Sequence, residues 1–477
     1  MKTPTIIILL LISLSLFLQY SSFLTRTRFF RCPEFHYPTC TTVSHEFQPF
    51  NHSEPIITNI SHIVFGIGSS SNSWNLRRNY SHLWWRPNLT RGFVWLDENP
   101  EPGGGGGGDY NNYPSYRVSS KEWKRFKHSS SPSAVRIARI LLDLFRIGLP
   151  DVRWFVMGDD DTVFFTDNLV SVLARYDHRQ MYYIGGNSES VEQDVMHSYK
   201  MAFGGGGFAV SYPLAVVLAG KLDGCLDRYH YFYGSDERIS ACVAEIGVSL
   251  TIEPGFHQID LRRDIYGLLA AHPTAPLVSL HHLDYVDPIF PNQGRMESLN
   301  LLMKAATADP LRTLQQAISP DYNYNHQKLS ISISWGYTIQ LYPYLVYANE
   351  LRLPLQTFQT WHSWSNGPFT FNTRPLRTDP CQQPLVYFFE TVQEVIIGQD
   401  HHHNLTLSTY RLHLDQDQEK RCDNAEYSRT MGLKIVEVVA PKMNPNEWKM
   451  RPRREDCVII ESWKRTSMRL RIGSFQV

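Results

Sequence analysis

The sequence predicts an α/β domain built on a parallel sheet, followed by a β-rich C-terminal domain. Three observations lead there. Beyond residue 60 the chain opens with strand–helix–strand order, the pattern of a parallel sheet with crossover helices. A long amphipathic helix then feeds directly into an apolar strand. Past residue 325 the apolar residues alternate with period two, as in antiparallel strands with one wet face.

The elements follow in order. Residues 1–25 read as a signal anchor: Ile6 to Leu18 is strictly apolar, and counting on to Leu24 reaches the roughly 20 residues of a spanning helix. A cleaved signal peptide is the rival reading, but no small-x-small cleavage site follows the apolar run. Arg26, Arg28 and Arg31 lie after the segment, where the positive-inside rule calls for few, and leave its orientation open. Residues 26–60 form a polar stem with Pro and Ser. Sequons begin at Asn51, Asn59, Asn79, Asn88 and Asn404, which suits a lumenal chain open to glycosylation.

The domain expected over 61–320 starts with H-I-V-F-G-I-G from His62. A helix follows with Trp74, Leu76, Tyr80, Leu83 and Trp84 at helical spacing, then the strand R-G-F-V-W-L-D from Arg91. Gly103 to Gly108 make a flexible loop. A-V-R-I-A-R-I-L-L-D-L-F-R-I-G from Ala134 is amphipathic and stops on glycine, leading into the strand V-R-W-F-V-M-G. Over 325–477, L-S-I-S-I-S-W-G-Y-T-I-Q-L-Y, L-V-Y-F-F-E-T-V and R-L-R-I-G-S-F all alternate. His401, His402 and His403 read as a solvated loop.

Composition narrows the function. Apolar residues make up 42% and charged ones 19%, as in a globular chain with a large core. A net charge of zero argues against nucleic acid as a partner. Cys32, Cys40, Cys225, Cys242, Cys381, Cys422 and Cys457 contain no C-x-x-C pair, which argues against a zinc site. In an oxidising lumen Cys225 with Cys242 is the most plausible local bridge, and the odd count leaves at least one thiol free or intermolecular.

W-F-V-M-G-D-D-D-T-V-F-F, from Trp154, carries the chemistry. Ligands of open α/β sheets bind beyond the carboxyl ends of the strands, where Asp159, Asp160 and Asp161 stand. A solvated turn is the plain alternative. Adjacent carboxylates repel one another, and a hard divalent cation such as Mn²⁺ or Mg²⁺ relieves that repulsion.

This segment resembles the metal-binding D-x-D stretch of Fringe-type β-1,3-glycosyltransferases. Further stretches resemble the same family in the same order: N-L-R-R-N-Y-S-H-L-W-W, Y-I-G-G from Tyr183, F-G-G-G-G-F-A-V-S from Phe203, S-D-E-R-I-S-A-C from Ser235 and S-L-H-H-L-D from Ser279. Together they span residues 62 to about 290. With its C-terminal part included, the chain is similar to the plant Fringe-related glycosyltransferase-like proteins.

The resemblance implies a GT-A type, Rossmann-like nucleotide-sugar domain. It would move a sugar from a UDP-sugar to a hydroxyl of a glycan or glycoprotein, with inversion, in the lumen of the Golgi, as a single-pass type II membrane protein. Asp161 would ligate the metal directly; Asp159 and Asp160 would contact ribose, sugar or the metal through water. His282 would be the second protein ligand, with His281 as the alternative. Asp236 would be the general base. Ser235 stands where the family has an acid and Ser240 where it has glycine, so Glu237 is the alternative base. Arg77 or Arg78 would reach the diphosphate or else lie on a solvated helix face. Gly204 to Gly207, with Gly205 and Gly206 central, would let backbone approach the sugar. Trp123, Trp335, Trp361 and Trp364 are candidates for stacking on glycans, with core packing as the default. An inactive glycan-binding protein is the alternative function, and a two-metal phosphoesterase ranks last because dispersed His and Asp ligands are lacking.

Overall fold

The computed structural model describes residues 57–100, 112–319, 323–324, 327–396, 404–414, 422–450, 453–464 and 466–473. The expected anchor, all of the stem before residue 57, Cys32, Cys40, Asn51, the glycine run 103–108 and the His401–His403 triplet lie outside them. Among the described residues no helix is long and apolar enough to cross a membrane.

The strands of the first part are β1 (Ile63–Gly68), β2 (Arg91–Leu96), β3 (Tyr116–Val118), β4 (Trp154–Asp159), β5 (Val163–Phe164), β6 (Tyr183–Gly185), β7 (Phe208–Ser211), β8 (Leu250–Ile252), β9 (Phe256–His257), β10 (Leu261–Arg263) and β11 (Ser279–Leu280). One sheet takes the order β3-β2-β1-β4-β7-β6-β8. Strands β3, β2, β1 and β4 are parallel, but β7 runs antiparallel to both β4 and β6. The sheet is therefore mixed, not the parallel sheet expected. Between β6 and β7 the chain makes only a short helix, Val191–Met196, and no long crossover helix, so it re-enters the sheet in the opposite sense.

Alternate residues of each strand face different cores, as the period of two requires. Trp154 and Val156 of β4 join one cluster, Phe155 and Met157 the other. The second cluster is closed by three helices: α2 (Pro132–Arg146), α3 (Tyr212–Arg228) and α4 (Ser235–Glu245), with α1 (Trp74–Trp84) on the opposite face. Helix α2 begins at Pro132, two residues before the Ala134 expected: Ser131 Oγ accepts from Ala134 N at 3.3 Å, and Pro132 occupies the first turn. The expected Cys225–Cys242 disulfide joins α3 to α4. A second links Cys381 and Cys422, and Cys457 is a buried free thiol. In α1, Trp74, Tyr80 and Trp84 are buried as expected, but Leu76 is 82% exposed.

The C-terminal part closes into a barrel. In spatial order its strands are Gln316–Ile318, Ser330–Ser334, Thr338–Tyr342, Leu385–Ile396, Asn404–His413, Ile435–Pro441, Ser467–Gly473 and Glu455–Lys464. The wet face expected for S-I-S-I-S is dry. Ser330, Ser332 and Ser334 are buried and bonded: Ser334 Oγ donates to Leu269 O at 2.9 Å, and Ser330 Oγ accepts from Val346 N at 2.8 Å. Short hydroxyl side chains that find backbone partners can occupy an interior that the alternation alone would assign to water.

Barrel residues Ile331, Ile333, Tyr337 and Tyr387 belong to the same apolar cluster as Trp154 and Phe164 of the first part. At the seam Gly267, in the helix Tyr266–Leu269, lies flat against the strand Leu355–Gln356, and a Cβ there would run into the Leu355 carbonyl. Gly267→Ala should therefore cost about 1–3 kcal/mol through backbone displacement. Denaturant unfolding checks this; an unchanged midpoint would mean that the seam yields freely.

Candidate active site

The acidic tip is built by a tight turn. Asp159 N donates to Thr162 Oγ1 at 2.8 Å, and Thr162 Oγ1 donates to Gly205 O at 2.7 Å, so one hydroxyl ties the end of β4 to the glycine loop. Strand β5 follows at once and pairs antiparallel with β11, Leu280 opposite Val163. That register brings the residue after β11, His281, against the carboxylates. Its Nε2 lies 3.1 Å from Asp161 Oδ1 and 4.0 Å from Asp159 Oδ2.

The aspartates differ sharply in surroundings. Asp160 Oδ2 accepts from Ser69 Oγ and Ser73 Oγ, each at 2.7 Å, and Arg77 lies 3.2 Å from Asp160 Oδ1. Asp161 is 1% exposed, between Arg77 at 3.2 Å and His281. Burial alone would raise its carboxyl, but His281 and Arg77 hold it well below the usual carboxylate range. Burial would likewise lower His281, yet Asp161 and then Asp159 push it up to about 9. Asp159 is the open member, its side chain 37% exposed. Desolvation and the Asp161, Asp160 and Asp236 charges push it up to about 7, against the pull of His281.

Asp159 lines a narrow cleft with Gly68, Gly204, Ser235 and Asp236, its other walls apolar and including Met157, Phe208 and Ile239. Asp236, in the first turn of α4, accepts from Gly204 N at 3.0 Å and Glu237 N at 2.9 Å. Desolvation raises its carboxyl despite these bonds. Glu237 is turned to structural use. Its Oε2 caps α4 by accepting from Gly234 N, and its Oε1 meets His197 Nδ1, both at 2.9 Å.

His282 does not share the position of His281. Its Nδ1 lies 2.7 Å from Asp260 Oδ1, a fully buried carboxylate also bonded by Ser188 Oγ at 2.6 Å. Burial and the charge of His281 lower its titration point against the pull of Asp260. The imidazole nearest the acidic tip is therefore His281, the alternative in the sequence reading. Arg77 reaches the carboxylates, whereas Arg78 sits over the Tyr113 ring, 5.2 Å from its centroid. Gly205 and Gly206 serve the scaffold: a Cβ on Gly205 would strike the His281 ring, and Gly206 N donates to Gln258 Oε1 at 2.6 Å. Trp335 is wholly buried, as core packing predicts.

Among the described residues no group of three or more His, Cys, Asp or Glu side chains is arranged to hold a metal ion. Two donors are nevertheless poised. Asp161 Oδ1 is buried without an aligned hydrogen bond although His281 Nε2 is 3.1 Å away. Two atoms each bound to one ion at about 2.0–2.2 Å stand roughly 3 Å apart, so this spacing fits a shared cation completed by oxygens from a ligand. Ser69, Ser73, Thr162 and Asp260 escaped the sequence reading. The run S-S-S-N-S just beyond β1 was the available signal, since it falls at the ligand-binding end of the sheet.

The His281–Asp161 pair makes stability depend on pH. Because folding raises His281 from 6.5 to about 9, its contribution is complete below 6.5 and is lost as pH rises through 9. Melting temperatures of metal-free wild type and His281→Gln should converge toward alkaline pH; a constant gap would reject the pairing.

Two family models match the chain. The Fringe-like model matches residues 116–265, which include Asp159–Asp161 and Asp236 and stop short of His281. The model described as "Protein of unknown function, DUF604" matches residues 193–457, more than half of the 477-residue chain. No curated protein is significantly similar. The chain belongs to the DUF604 family, which is Fringe-related, and its Fringe-like segment is that of a family whose members are generally glycosyltransferases.

Proposed function

We propose that the chain is a metal-dependent, inverting glycosyltransferase that moves a hexose from a UDP-sugar to a hydroxyl of a glycan or glycoprotein. The observation that carries this reading is the cleft that Asp159 and Asp236 both line. It adjoins the buried Asp161–His281 pair through their shared contacts with Asp159. A GT-A type nucleotide-sugar fold is the reading that the mixed α/β sheet and the Fringe-like match support.

In this reading Asp161 and His281 would hold the cation, Mn²⁺ or Mg²⁺, with Asp159 as a further carboxylate nearby. When bound, the cation supplies positive charge against the donor's diphosphate. Arg77 adds fixed positive charge at the same edge. Asp236 accepts the proton of the acceptor hydroxyl as that oxygen bonds to the anomeric carbon. The bond from that carbon to the phosphate oxygen breaks, its electron pair leaves with UDP, and attack from the opposite face inverts the centre. Desolvation makes Asp236 a stronger base than a solvated aspartate. Glu237 is a poorer candidate because it caps α4 and meets His197, and unlike Asp236 it does not line the cleft. His282, held by Asp260, is a second imidazole beside the ligand set. The family likeness supports β-1,3 linkage. The N-terminal apolar segment and the sequons support a type II protein of the Golgi membrane with its catalytic part in the lumen.

A panel of UDP-sugars with Mn²⁺ tests the proposal through UDP release. Asp161→Asn should abolish release, and Asp236→Asn should lower transfer about 10²–10⁴-fold while UDP binding persists. Absence of both release and donor binding across the panel would favour the glycan-binding alternative.

A further inference from the structure

The chain carries an aromatic surface that the proposed chemistry leaves unused. Trp361 lies parallel to His282, centroids 4.7 Å apart and planes 6° apart, and His282 in turn lies 3.9 Å from His281. Beyond Trp361 stand Tyr285 at 4.9 Å and the Arg262 guanidinium, 4.0 Å from the Trp361 centroid. Arg262 also faces Trp364 at 5.2 Å and Tyr285 at 5.0 Å. Trp361 is thus covered on both sides by His282 and Arg262. Trp364, which Arg263 also approaches at 6.0 Å, and Tyr285 keep more surface in water: they are 53% and 43% exposed.

Trp364 is held there. Its φ is +52°, a left-handed conformation that a bulky side chain adopts only when its surroundings impose it. The turn that imposes it is closed by Thr360 N donating to Ser365 O at 3.0 Å and Ser365 N donating to Thr360 Oγ1 at 3.0 Å. Glu192 fastens the turn from outside by accepting from His362 N at 2.7 Å. The preceding strand Phe358–Thr360 pairs with β10, which carries Arg262. A rigid turn that keeps an indole in water forgoes burial and relaxed backbone together. Such an arrangement suits a ligand that covers the ring without reordering the loop.

We propose that Trp364 and Tyr285, with Arg262 between them, form a subsite for a neutral pyranose of the acceptor glycan. This assignment rests on the glycosyltransferase reading only for the word acceptor. The apolar C–H face of a pyranose matches the indole face, and its ring hydroxyls can accept from the guanidinium. Among the described residues that group makes one hydrogen bond, Nε to Trp361 O at 3.2 Å. The stack Trp361–His282–His281 connects the subsite to the acidic tip, as an acceptor reaching toward the cleft would require.

Saturation-transfer NMR on the full chain with methyl β-galactoside, methyl β-glucoside and methyl β-N-acetylglucosaminide tests it. At least one glycoside should receive saturation. Trp364→Ala should weaken its binding roughly 3–10-fold, as expected for one lost ring contact, and Trp364→Phe should restore part of it. Added UDP should leave the signal unchanged. No transfer to any glycoside, an unaltered signal in Trp364→Ala, or displacement by UDP would overturn the subsite. The last result would instead assign the ring to the nucleotide. Glycoside binding that needs Trp364 in a chain that turns over no UDP-sugar would uphold the subsite and overturn the catalytic reading. UDP release with no such binding would do the reverse.

Discussion

The charged centre depends on two rungs of antiparallel pairing, Ser279 with Phe164 and Leu280 with Val163. Asp161 precedes one strand by a two-residue step and His281 directly follows the other. A pairing this short has little stability alone. It is secured because Val163, Phe164 and Leu280 are wholly buried and β11 also pairs with β9. A slip of one residue would send buried Leu280 toward the wrong face and carry the imidazole away. Core packing therefore sets the distance between acid and base.

Identical neighbours have acquired different tasks from that placement. Asp160 is consumed by Ser69, Ser73 and Arg77 and braces α1 against the strand end. Asp161 is buried but paired, the state in which a carboxylate can stay ionised away from water. Asp159 alone keeps an open side toward the cleft. Repulsion among the carboxylates is relieved within the chain by one guanidinium and one imidazole. A cation arriving with a phosphate ligand would thus join a partly compensated site.

Much of this architecture was legible in the residues. The strands around the aspartates, α2 and the Cys225–Cys242 bridge follow from hydrophobic period, capping signals and spacing. The acidic tip was legible as chemistry because adjacent carboxylates at a strand end are costly without a purpose, whereas Asp236 came from the family resemblance alone. Which imidazole meets them was not. His281 and His282 are adjacent, and the choice depends on the left-handed backbone of His282, φ +54°, and on Asp260, some twenty residues earlier in sequence. The antiparallel sense of β7 was hidden too, since direction is set by the path of the connection and not by composition. The serines of the barrel misled for a related reason: a polar residue reads as solvated until its backbone partner is known.

The continuous apolar cluster shared by the sheet and the barrel has a bearing on how such a chain can diversify. Neither half owns the surface that lies between them, so exchanging the C-terminal part for another module would leave the sheet's inner face bare. Variation in what the protein recognises is then confined to segments that ride on this joint without forming it, such as the turn around Trp364. Novel specificity would come by editing a few rim side chains, while the interior keeps both halves in register.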